Sequence, residues 1–146
     1  MSNRIAYDKV APAGLKNLFA MKGYLTQKTG LDNKLRELVK IRVSQINGCA
    51  FCLNMHTQDA RKIGETEQRL NVLVAWRETS LFTATEEAAL ALAEKLTRIA
   101  DNQISEVFYQ EIRAFFDEKD FTDLVLLITQ INTWNRISIV MANEVE

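Results

Sequence analysis

Proline and glycine are scarce in this chain of 146 residues: there is one proline, Pro12, and of the five glycines none lies beyond Gly64. From Glu65 to Glu146 nothing interrupts a helical pattern, so the second half is expected to be helical almost throughout. Neither β alternation nor a hairpin turn signal appears, which excludes the βαβ units of a thioredoxin fold. No apolar run approaches the length of a membrane span, and the N-terminal MSNRIAYDKVAP lacks the apolar core of a signal peptide. A formal net charge of −1 and a pI near 5.9 leave no electrostatic footprint for nucleic acid or an anionic membrane. Cysteine is limited to two residues and histidine to one. Without an export signal, two cysteines point to a reducing cytoplasm, where a C-x-x-C pair reads as catalytic or metal-binding rather than as a structural staple.

What is present is a series of amphipathic helical patterns in a chain of ordinary composition, 47% hydrophobic and 25% charged. The length suits one domain, residues 1–146, with a core of its own. Pro12 opens a first helix, Ala13 to Lys28, a packing or oligomer-building element that Gly30 ends. Asp32 caps a second, whose apolar residues Leu35, Leu38, Val39, Ile41, Val43 and Ile46 spread around most of its circumference and mark a central, buried helix. A third, Cys49 to Ile63, stops at Gly64, with Phe51, Leu53, Met55 and Ala60 expected in the core rather than against substrate. Thr66 caps a short helix through Ala75, and Thr83 with Glu86 forms a capping box for a helix to about Ala100. Ser105 caps one ending near Lys119, and Thr122 starts the last, which runs to about Asn143. The fold class is thus all-α, a helical bundle of six or seven helices.

The chemistry is concentrated between Glu37 and His56, in ELVKIRVSQINGCAFCLNMH. Residues three, four and seven apart share a helix face, so Cys49, Cys52 and His56 project together. The unpaired N–H groups of the first turn after Gly48 favour thiolates, and His56 can take the Cys52 proton or pair with its anion. Cys49 can then attack an oxidised Cys52 and close a disulfide. Singly, each residue has a plainer reading: a buried inert thiol, a satisfied histidine, and, for Glu37, a solvated ion-pair face with Lys34 and Lys40. Their coincidence favours chemistry, because the only two cysteines and the only histidine fall within eight positions. If the Asn47-Gly48 turn folds the two helices back on one another, Glu37 approximately meets His56.

This run closely resembles the core of the alkylhydroperoxidase D-like proteins of the carboxymuconolactone decarboxylase superfamily. Their pattern is a Glu, a C-x-x-C beginning twelve residues later and a His four after the second Cys, matched here by Glu37, Cys49, Cys52 and His56. The likeness continues through DARKIGET at Asp59 to Thr66, AWRE at Ala75 to Glu78, the segment Glu86 to Thr97 and INTWNR at Ile131 to Arg136. The resemblance implies a peroxidase in which Cys52 is the peroxidatic thiol, Cys49 the resolving one, and His56 with Glu37 a proton relay. It implies an external thiol or dithiol reductant of lipoyl or thioredoxin type and a homo-oligomer, a trimer or hexamer. No cofactor or metal is expected. The full-length enzymes carry a second histidine immediately before the second cysteine, and here that position is Phe51, so the relay would hold one histidine.

Two further classes stay open. A general disulfide oxidoreductase would use the same thiols, and a metal-binding protein could take Cys49, Cys52, His56 and Glu37 as ligands. In INTWNR, Trp134 is expected to pack in the core while Asn132, Asn135 and Arg136 make structural hydrogen bonds or subunit contacts.

Overall fold

The computed structural model describes residues 4–145, and among them every regular element is helical. Eight α-helices follow in order: α1 (Tyr7–Val10), α2 (Pro12–Gln27), α3 (Asn33–Asn47), α4 (Ala50–Lys62), α5 (Glu67–Val72), α6 (Ala84–Thr97), α7 (Glu106–Arg113) and α8 (Glu118–Val140). Two short 3-10 segments, Leu73–Glu78 and Ile99–Asp101, follow α5 and α6. The count exceeds the expected six or seven because α1 forms as a separate turn ahead of Pro12.

The central helix is α3, packed against α4, α6 and α8. Its apolar residues divide between two cores, which is why they occupy so much of its circumference. Leu35, Val39 and Val43 join Leu124, Leu127, Ile128 and Ile131 of α8 and Ala89, Leu92 and Ala93 of α6. Leu38 and Ile41 face the other way, onto Ala60 of α4 and onto Leu70, Leu73, Trp76 and Phe82. Leu38, Val39, Ile41 and Val43 are all essentially inaccessible to solvent. Burying a Leu, Ile or Val side chain is worth about 1.5–3 kcal/mol, so a helix that does this on two sides is the least replaceable part of the scaffold. By contrast α2 lies at the surface, with Leu25 its one fully buried residue and Phe19 more than half exposed.

Caps explain most helix starts. The Asp32 carboxylate accepts from the Lys34 and Leu35 N–H groups at 2.9 and 3.1 Å. Thr66 and Ser105 cap α5 and α7, and Thr83 with Glu86 closes the capping box of α6. The last helix begins earlier than expected. Asp117, not Thr122, caps α8 through the Asp120 N–H at 2.7 Å, while the Thr122 hydroxyl bonds back to the Glu118 carbonyl inside the first turn. Two other ends also move. The pattern from Leu73 tightens into a 3-10 turn, where the Trp76 indole N–H donates to Glu94 at 2.9 Å, and α7 stops at Arg113, well before Lys119.

The asparagines of INTWNR lock α8 to the end of α3. The Asn47 side chain donates to Asn132 and Asn135 at 3.0 and 2.9 Å, and the fully buried Asn135 donates to the Ser44 hydroxyl at 3.0 Å. Asn132 also donates to Thr97 at 3.1 Å, and Arg136 reaches the Asn132 side chain at 2.8 Å. This network fixes the turn that carries Cys49, which begins one residue past Asn47.

Candidate active site

The turn between α3 and α4 consists of Gly48 and Cys49. Gly48 sits at φ 70°, a left-handed conformation that a side chain would strain, and the Cys49 N–H returns to the Ser44 carbonyl at 3.0 Å. Cys49 is the N-cap of α4 rather than its first helical residue, and its sulfur accepts the Cys52 N–H at 3.3 Å. The two sulfurs are joined as a disulfide, with the Cα atoms 5.3 Å apart. Both cysteines are buried.

The hairpin brings Glu37 and His56 together. Nδ1 of His56 lies 2.9 Å from one carboxylate oxygen of Glu37, and the other oxygen accepts from the Lys40 ammonium at 2.8 Å. Burial pushes the Glu37 carboxyl up, but the His56 hydrogen bond and the nearby Lys40 charge outweigh it and hold the group below the usual carboxylate range. The depressed Glu37 carboxyl thus faces the imidazole across a 2.9 Å contact. No hydrogen bond joins His56 to either sulfur in this disulfide form; the imidazole and Cys52 instead border the same cavity.

That cavity, about 220 Å³, lies between α2, α4 and the C-terminal half of α8. Phe19, Leu25, Phe51, Met55, Ile131 and Trp134 give it apolar walls, and Lys22, Lys40, Cys52 and His56 border it as well. Phe51 and Met55 are thus cavity walls, a correction to their expected place in the core; Ala60 is fully buried and Leu53 packs at the edge of the second core. Trp134 is only half-buried, its ring 5.3 Å from that of Phe19. Side chains that alternate around a helix can all be apolar without all facing the core, so composition hid this cavity. Lys40 was legible only as one half of a surface ion pair; its second role at the cavity needed the fold.

The donor set for a metal differs from that expected. With their sulfurs bonded to each other, the cysteines offer no thiolate ligands. Glu37, His56 and Asp59 instead place ligand atoms within 4.8 Å of one another. Each carboxylate already has an ammonium partner, Lys40 at 2.8 Å and Lys62 at 3.1 Å, which offsets the negative charge a cation would need.

An all-helical fold with a C-x-x-C pair and a glutamate–histidine contact across one hairpin defines a class. The chain belongs to the carboxymuconolactone decarboxylase family, whose model matches residues 12–95, and within it is an alkylhydroperoxidase D-like protein. Over 143 residues it is 50% identical to the uncharacterized protein YdfG of Bacillus subtilis (strain 168), spanning 98% of this chain and 97% of that one. Its fold matches the crystal structure of ATU0492 from Agrobacterium tumefaciens, a protein of unknown function described as a candidate antioxidant defence protein AhpD. The TM-score is 0.92 at 35% identity, covering 99% of this chain and 100% of that chain. The debrominase Bmp8 shares the fold at a TM-score of 0.83 and 15% identity, over 94% of this chain and 74% of that one. Among the described residues no helix is long and apolar enough to cross a membrane.

Proposed function

We propose that the protein is a thiol-dependent peroxidase that reduces alkyl or hydrogen peroxides. The observation that carries this reading is the position of Cys52 beside His56 on the wall of one apolar cavity, with Cys49 already within bonding reach. The Cys52 thiolate attacks the nearer peroxide oxygen, the O–O bond breaks, and His56, oriented by Glu37, protonates the departing alkoxide or hydroxide. Cys52 is then a sulfenic acid. The Cys49 thiolate attacks that sulfur, forming the disulfide and releasing hydroxide, which leaves as water after taking up a proton. An external dithiol returns two electrons and two protons. Cys52, Cys49, His56 and Glu37 are the residues assigned these roles. The relatedness to an AhpD-described structure supports the same antioxidant role, and the exposed apolar residues Phe19, Ile139 and Val140 are compatible with a homo-oligomer, a trimer or hexamer.

The test is to mix reduced protein with cumene hydroperoxide or hydrogen peroxide and follow peroxide loss together with intact mass. One equivalent of peroxide should be consumed with loss of two hydrogens, and Cys52→Ser should abolish both. Dithiol oxidation without peroxide consumption would instead make the chain a general disulfide oxidoreductase.

A further inference from the structure

The apolar cavity takes its reactive groups and its charge from different helices. Cys52 and His56 come from α4, whereas α2 contributes Phe19, Lys22 and Thr26. Those three residues are spaced three and four apart, so they share one face of α2, and that face is turned to the cavity. Lys22 is solvent-exposed, which puts its ammonium at the mouth rather than in the interior.

The two lysines that border the cavity differ in what they hold. The Lys40 ammonium is engaged by Glu37 at 2.8 Å. Among the described residues no side chain pairs with the Lys22 ammonium, and no aspartate or glutamate borders the cavity. Beyond the Ser138 edge, the Arg4 guanidinium donates to the Ile139 and Val140 carbonyls and brings further positive charge. An exposed lysine adds little to the stability of a fold. At the rim of an apolar chamber it does something else: it sets the sign of charge that a ligand can leave at the mouth.

We infer that the cavity takes a hydroperoxide built on an apolar carboxylic acid, with its alkyl or aryl body against α2 and α8, its carboxylate at Lys22 and its peroxide group at Cys52. This names the substrate class of the peroxidase reading above and rests on it for the reacting end. The carboxylate stays at the mouth, where it keeps part of its hydration, so the apolar body enters without the cost of burying a charge. At Cys52 the O–O bond breaks, the thiolate gains the distal oxygen as a sulfenic acid, and the organic part leaves as the hydroxy acid after taking one proton. The carboxylate is unchanged by the reaction. Hydrogen peroxide needs no apolar chamber, and a neutral alkyl peroxide offers nothing to Lys22.

The first test needs no peroxide and uses the disulfide form. Binding of 4-isopropylbenzoate and of 4-isopropylbenzamide, which has the same shape without the charge, is measured by calorimetry at low salt. The benzoate is expected to bind about fivefold tighter, the worth of one exposed ion pair, with the gap closing as salt is added. Lys22→Gln should abolish the preference, Lys22→Glu should invert it, and Lys22→Arg should keep it. Equal affinities in the wild type, no binding of either probe, or a benzoate preference that survives Lys22→Glu overturns the inference. The second test compares 4-carboxycumene hydroperoxide with cumene hydroperoxide on the reduced protein. The ratio of their kcat/KM values should fall about tenfold in Lys22→Glu, because attraction is replaced by repulsion. An unchanged ratio overturns the inference while leaving the peroxidase reading intact. A benzoate preference without consumption of either peroxide does the opposite, removing the peroxidase reading and keeping the carboxylate at Lys22.

Discussion

Two glutamates on the flanks of α3 are built by similar physics and end in different partners. Glu37 is held by Lys40 and His56. Glu94, on α6, accepts from Arg42 and Trp76 at 2.9 Å each and from Arg77 at 2.6 Å. In both, burial raises the carboxyl and hydrogen-bonded partners more than reverse it, so both lie below the usual range. The Arg42 and Arg77 guanidinium groups present rigid donor forks to the carboxylate, so the Glu94 cluster is a clamp between α3, α6 and the 3-10 turn. At Glu37 one partner is an imidazole, whose ring nitrogens can either donate or accept a hydrogen bond, and it borders a cavity with the Cys52 sulfur. Whether a depressed carboxyl signals chemistry or structure depends on what it is paired with.

Mutating each centre should separate the two roles. The largest effect is expected at the histidine: His56→Ala should lower the rate of peroxide consumption by about 10²-fold or more, the usual contribution of a positioned acid–base group, with Glu37→Gln following in the same direction. Stopped-flow peroxide decay measures both, and activity within twofold of wild type, about the noise of such an assay, would remove the relay. Glu94→Gln should do the reverse. Losing the charge under two arginines is expected to cost about 1.5–3 kcal/mol in urea unfolding while leaving peroxide decay unchanged.

Acid sharpens the same comparison. A carboxyl depressed in the folded state stabilises the fold above its unfolded pKa, and that stabilisation is lost as pH falls through the lower folded value. Both glutamates should therefore contribute to acid lability, and Glu94→Gln should flatten the acid limb of a plot of urea midpoint against pH. A parallel-shifted curve of unchanged shape would count against the clamp.

The smallest expected effect lies just past the end of α8. Ala142, just past the C-terminus of α8, has φ 53°, a conformation that glycine adopts without penalty. Ala142→Gly should stabilise the protein by about 1 kcal/mol, read as a higher urea midpoint, because it removes the Cβ clash of a left-handed residue. A drop in the midpoint would mean that backbone freedom outweighs that relief.

The amino-acid sequence made some of this plain and hid the rest. Asp32, Thr66, Ser105 and the Thr83–Glu86 box were legible as helix starts because capping is a local contest for the first few N–H groups. In FDEKDFTD the pattern pointed to Thr122 as the start, whereas Asp117 caps the helix five residues earlier. The 3-10 turn at Leu73–Glu78 was invisible, since its indole answers to Glu94, eighteen residues away. The structure brought Glu37, Cys49, Cys52 and His56 into one hairpin, but Lys40, Phe19 and Trp134 became part of the site only when α2 and α8 closed over it.

By itself, the sequence determined the all-helical class and the hairpin with its thiols and imidazole. Those depend on periodicity, on Gly48 and on spacings of a few residues, which act over one or two helical turns. The tertiary structure alone decided that Phe51 and Met55 line a cavity and that Asn135 ties α8 to the cysteine turn. Cavities and grooves are the space left between helices, and that space is set by how distant faces pack, a quantity no local pattern contains.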